Sequence, residues 1–233
     1  MKKSILLAIA LGAFSFTNAQ VKFGVKAGVN LANINESYSG FAGEFDGDYK
    51  MKIGAHLGGF VEIKLAEKFA LQPELLFSMQ GAKYEEADFN DGAGVSSSYE
   101  STINLNYINV PVMVKFYPIP KLFIEAGPQV GFLISAKTKF EESGTDFDED
   151  GNPYSYNESK SIDSKDYFKS IDFGMNIGVG YEFTEMIFAN LRYNIGLSDI
   201  SEAPDNVDFD FGLLGDVFKT RNNVLSASVG FKF

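Results

Sequence analysis

Residues 171–183 read Ile171-Asp172-Phe173-Gly174-Met175-Asn176-Ile177-Gly178-Val179-Gly180-Tyr181-Glu182-Phe183. Every odd position is apolar and every even position is polar or glycine. A strict period of two is the pattern of a β-strand whose two faces meet different surroundings, because successive side chains point to opposite sides. The run is longer than the roughly 9 to 11 residues with which a tilted strand crosses a bilayer.

The pattern recurs along the chain. After a two-residue turn at Thr184-Glu185 come Ile187, Ala189, Leu191, Tyr193, Ile195 and Leu197, with Asn190, Arg192, Asn194 and Gly196 on the other phase. The last segment carries Leu225, Ala227, Val229, Phe231 and Phe233. On the N-terminal side lie Leu122 to Ile134 and Ile108 to Phe116, joined by Pro118-Ile119-Pro120. Before them are Leu71 to Met79 and Ile53 to Ile63, joined at Ala66-Glu67-Lys68, and the first segment, Phe23 to Leu31. Eight segments result, and their connections alternate short and long. The long ones run over about 33–50, 85–101, 138–168 and 198–220. Eight strands with tight turns at one end and long polar connections at the other predict an all-β fold, an antiparallel up-and-down transmembrane barrel.

A soluble barrel of the lipocalin kind, apolar within and polar without, has the same alternation. Three features decide against it. The polar phase is rich in glycine (Gly24, Gly28, Gly54, Gly58, Gly178, Gly180, Gly230), which suits a cramped lumen and weakens a strand on a solvated surface. The apolar phase ends near the short turns in Phe23, Phe69, Phe116, Tyr181, Phe183 and Phe231, as in an interfacial aromatic girdle. The third feature is Phe233 at the end of the final alternating strand, which resembles, with Phe231, the signal read by bacterial barrel-assembly machinery.

Met1-Lys2-Lys3, the apolar run Ile5 to Phe14 and the small-residue stretch Thr17-Asn18-Ala19 form a secretory signal peptide, residues 1–19, with cleavage expected after Ala19. Residues 20–233 are then the barrel domain. The 31 acidic residues outnumber the 20 basic ones for a net charge of −11, which argues against a nucleic-acid partner. With no cysteine, disulfide frameworks, zinc fingers and thiol catalysis are excluded. The single histidine, His56, excludes any multi-histidine metal site.

Six stretches in order, residues 24–32 (GVKAGVNLA), 107–115 (YINVPVMVK), 125–131 (EAGPQVG), 178–183 (GVGYEF), 192–200 (RYNIGLSDI) and the closing strand to Phe233, resemble the PorT-like outer-membrane β-barrel family of Bacteroidetes-type bacteria. The resemblance covers nearly all of the mature sequence. It implies an eight-stranded outer-membrane barrel; the founding member is associated with protein secretion, and that role does not carry over with the fold.

An eight-stranded barrel is narrow enough for side chains to fill it. Lys26, Glu62, Glu74, Glu125 and Arg192 fall on the inward phase at similar depth and are expected to form one layer of paired charges that plugs the lumen. The alternative is that they line a path for ions or small solutes. His56 is also inward; a catalytic role in lipid modification would need a nucleophile and an orienting partner, and no such motif is visible. Pro73, Pro111 and Pro128 lie well inside three neighbouring strands, so each is expected at a bulge or a missing ladder bond. A change of apolar parity at Tyr107 and Ile108 suggests a bulge beside Pro111. A weakened seam there could admit an apolar ligand. In the third long connection, Asp146, Asp148 and Asp150 before Gly151 resemble the opening of a calcium loop. The closing carboxylate belongs at Asn157, with Glu158 one place late, so a solvated acidic loop is preferred and no cofactor is expected. Expected partners are outer-membrane lipid, the assembly machinery and, through the aromatic-bearing acidic loops, other envelope or extracellular proteins.

Overall fold

The computed structural model describes residues 21–40, 43–46, 49–85, 89–90, 95–202 and 218–233. The expected signal peptide and its cleavage site lie outside the described residues. In chain order the strands are β1 (Val21–Gly40), β2 (Gly43–Asp46), β3 (Lys50–Ala66), β4 (Phe69–Glu85), β5 (Phe89–Asn90), β6 (Ser96–Ile119), β7 (Leu122–Phe147), β8 (Pro153–Asp163), β9 (Ile171–Glu182), β10 (Ile187–Gly196) and β11 (Phe218–Lys232).

Eight of them form a closed antiparallel ring, β6-β4-β3-β1-β11-β10-β9-β7, which β6–β7 pairing completes. First and last strands meet in register, Gly24 opposite Lys232 and Tyr38 opposite Phe218, so the ring has no edge at membrane depth. The remaining strands, β2, β5 and β8, pair only beyond the ring's far end, with β1, β6 and β7 respectively.

The two phases face as a membrane barrel requires. Ile53 is 75% exposed and Leu191 55%, whereas Glu125 is 1% and Arg192 4% exposed. Water would reverse that arrangement; lipid outside and a packed interior stabilise it. Near the short turns the outward aromatics touch one another, Phe69 with Phe116 at 5.1 Å and Phe231 with Phe233 at 5.4 Å between ring centroids.

The structure corrects four details. The turn after β9 has four residues, Phe183 to Met186, rather than two; Thr184 Oγ1 accepts the backbone N–H groups of Met186 and Ile187, replacing ladder bonds. Much of the long connections is strand: β7 runs to Phe147 and pairs with β8 across the stretch read as a loop. Both sides of that hairpin are exposed, and its few large apolar side chains, Phe140, Tyr154, Tyr156 and Ile162, are interrupted on their own phase by charged and polar residues, so no continuous apolar phase reveals it. No parity change occurs in β6, where Leu105, Tyr107, Asn109 and Lys115 are all buried. The apolar residues near Tyr107 simply line the lumen's far end. The bulge belongs to β7: Asn106 pairs with Ser135 and Tyr107 with Leu133, leaving Ile134 as the extra residue. At the prolines the register does not shift. The β4–β6 ladder lapses between Pro73/Val112 and Leu76/Asn109, and the β6–β7 ladder between Pro111/Gln129 and Val114/Ala126.

Candidate functional site: the packed lumen

From the short-turn end inward, the lumen begins with a charge cluster. Glu62 on β3 accepts from Lys115 on β6 at 2.9 Å and from Lys232 on β11 at 2.7 Å. Lys232 also reaches Glu182 on β9 at 2.5 Å, and Tyr117 donates to Glu182 at 2.8 Å. Two ammonium groups thus face two carboxylates.

Next come three phenyl rings. Phe60, Phe123 and Phe188 are buried and pack edge to face, with Phe188 5.6 Å from Phe60 and 5.9 Å from Phe123. Each lies on a glycine of the adjacent strand. A Cβ added at Gly24, Gly180 or Gly230 would stand 2.2 Å from an atom of Phe60, Phe123 or Phe188 respectively, so only glycine leaves room for the ring. The Lys115 ammonium lies 4.3 Å from the Phe123 centroid and 4.5 Å from that of Phe188, joining this layer to the first cluster.

Beyond the rings is a second charge cluster. Lys26 donates to Glu74 at 2.7 Å. Arg192 holds the same carboxylate through two nitrogens, at 3.0 and 2.8 Å, and reaches Glu125 through Nε at 3.0 Å. Asn190 adds a bond to Glu125 at 2.6 Å and Gln72 one to Glu74 at 2.7 Å. Again two cations face two anions, across the bore from β1, β4, β7 and β10. The five residues expected in one layer therefore divide: Lys26, Glu74, Glu125 and Arg192 meet here, and Glu62 belongs to the cluster on the other side of the rings. Strand tilt separates positions that look level in sequence.

His56 lies one layer further, among amides and hydroxyls. Its Nδ1 is 2.8 Å from Asn30 Oδ1 and its Nε2 2.8 Å from Ser228 Oγ. The Asn30 amide nitrogen donates to Ser78 Oγ at 3.0 Å, so Oδ1 is the acceptor for Nδ1–H and Nε2 accepts from Ser228. A hydroxyl, an imidazole and an orienting amide in a row are the parts of a nucleophile relay. No local motif announces them, because Ser228 and His56 are 172 residues apart. The space on the imidazole side is small. The cavity beside His56 holds about 30 Å³, room for a water rather than an ester, and Ser228 does not line it. At the far end Ile34, Leu105, Tyr107, Leu133 and Ile200 close the bore with an apolar cap.

The acidic loop residues are elsewhere. Asp148 forms the tip of the β7–β8 hairpin, where its carboxylate accepts the backbone N–H of Asn152 at 2.7 Å and of Asp150 at 3.0 Å. The Asn152 bond holds its pKa below the usual carboxylate value. Gly151 takes the left-handed conformation, φ 80°, that the turn requires. Asp146 is paired with Tyr154, and Asn157 and Glu158 stand on the hairpin arm opposite Ser143 and Glu142. Among the described residues no group of three or more His, Asp or Glu side chains is disposed to hold a metal.

An edgeless eight-stranded ring, apolar outside and packed with compensated charge inside, defines an outer-membrane barrel protein. The sequence matches the family described as outer membrane protein beta-barrel domain over residues 15–202, and the chain belongs to that family, in the outer membrane. Solved structures similar to it include Ail, the attachment invasion locus protein of Yersinia pestis, at 10% identity and a TM-score of 0.41, covering 92% of this chain and 99% of that one. Neisserial surface protein A is similar at 15% identity and 0.41, with the same coverages. A major outer membrane protein from Thermus thermophilus is similar at 14% and 0.37, covering 92% of this chain and 100% of that one. No curated protein matches the sequence.

Proposed function

We propose that the protein is a closed barrel that works through its two ends and not through its bore: an anchor and interaction protein with acidic extracellular strands. The observation that supports this is the layered lumen, two charge clusters with a sheet of phenyl rings between them. An ion entering would have to displace compensated pairs and cross an apolar layer, which is expensive at low dielectric. A refolded barrel in a planar bilayer, its folding checked by a heat-modifiability gel shift, is expected to be electrically silent. Stable, well-defined conductance steps would overturn the proposal and make the charges a path.

Within the family we assign the chain to the PorT-like kind, on the six stretches given above, with export by residues 1–19 and assembly through Phe231 and Phe233. Partners follow from the ends: lipid around the wall, assembly machinery during biogenesis, and envelope or extracellular proteins at the loops. We assign the Ser228–His56–Asn30 row a packing role and no catalysis, since the cavity beside His56, about 30 Å³, has no room for a substrate. Labelling of Ser228 by a fluorophosphonate in the folded protein would reverse that assignment.

A further inference from the structure

The short-turn end of the bore opens into a vestibule of about 440 Å³, within the range of small-ligand sites. Its wall includes Tyr117, Pro118, Ile119 and Pro120. The rim carries Lys22, Lys64, Lys68 and Lys121.

The carboxylates that could neutralise this rim are engaged elsewhere. Glu62 is held by Lys115 and Lys232, and Glu182 by Lys232 and Tyr117. Among the described residues Lys64, Lys68 and Lys121 have no side-chain hydrogen bond or ion pair, and Lys22 has only a 3.5 Å contact to the Glu185 carbonyl. Glu67 is the remaining acid of the lining. A chain of net charge −11 thus concentrates unpaired positive charge around one concavity. Lys121 sharpens the point, being a non-glycine residue at φ 72° where glycine is the ordinary choice.

We propose that this vestibule binds a phosphate-bearing group, the phosphate on the lysine rim and the attached organic part against Tyr117 and the proline turn. Lysines act as point charges on phosphate, and the lining has no arginine to offer the planar fork that suits a carboxylate. Short turns face the periplasm in outer-membrane barrels. The group is therefore a soluble periplasmic phosphate ester or the headgroup of an inner-leaflet phospholipid, two sources of one chemistry.

The test uses the full chain refolded in a nonionic, phosphate-free detergent and titrated with glycerol 3-phosphate by calorimetry. A parallel arm places the barrel in nanodiscs of phosphatidylethanolamine and phosphatidylglycerol and reads co-purified lipid by native mass spectrometry. Saturable glycerol 3-phosphate binding that weakens with salt, and falls at least about tenfold in Lys64→Gln/Lys68→Gln/Lys121→Gly, supports the soluble source. Selective retention of phosphatidylglycerol, lost in the same variant, supports the lipid source. Lys160→Gln, on the opposite end, is expected to change neither, and a gel shift verifies that each variant is folded. No binding in either arm, or equal binding by the triple variant, overturns the proposal. A silent bore is compatible with every outcome, so this test and the conductance test fail separately.

Discussion

Glu125 and Glu141 are on the same strand, β7, and live in different solvents. Glu125 is 1% exposed, inside the bore, and takes bonds from Arg192 and Asn190. Glu141 is on the projecting hairpin, pairs with Lys139 at 2.7 Å, and both side chains are more than 40% exposed. Distances hardly separate the two ion pairs; surroundings do. Where water can replace a lost partner, a pair contributes little, and where it cannot, the remaining charge is stranded.

Four substitutions, one of them a compensating change, test that contrast in order of expected effect. Arg192→Met leaves Glu74 and Glu125 with Lys26 as their only cation in the cluster, and is expected to destabilise the barrel by about 3–5 kcal/mol in urea unfolding from lipid vesicles. Adding Glu125→Gln restores the balance and should recover part of the loss; no recovery would mean that packing, and not charge, dominates. Gly180→Val places a side chain where Phe123 now lies and is expected to cost about 1–3 kcal/mol by the same measurement, with altered near-UV circular dichroism as the rings shift. Lys139→Gln breaks the exposed pair and should change stability by less than about 1 kcal/mol. If Lys139→Gln matched Arg192→Met, the distinction between the two halves of β7 would be lost.

The same contrast explains what is legible in the sequence. At membrane depth one face is lipid and the other a mostly polar bore, so alternation reveals all eight strands and the side most residues take; it fails where the bore itself is apolar, at Leu105 and Tyr107. In the projecting hairpin both faces are wet, alternation vanishes, and residues 138–147 and 153–163 read as loop although they are strand. Inside the bore, parity is visible and depth is not. Lys115, Lys232 and Glu182 sit on the inward phase with no local sign that they pair, and the stacking of Phe60, Phe123 and Phe188 is equally hidden. An aromatic residue on a glycine-bearing phase is the available signal. Pairings such as Lys26 with Glu74 depend on tilt and closure, which no local pattern encodes.

The glycine sockets also bear on the order of events during assembly. Each joins hydrogen-bonded neighbours, Phe60 of β3 to Gly24 of β1, Phe123 of β7 to Gly180 of β9, and Phe188 of β10 to Gly230 of β11. These contacts are available to strand pairs before any cylinder exists. Bonds such as Arg192 to Glu74 span the bore and are available only when the cylinder shuts. The rings can therefore seat strand by strand as neighbours pair, whereas the charge bonds across the bore come only with closure.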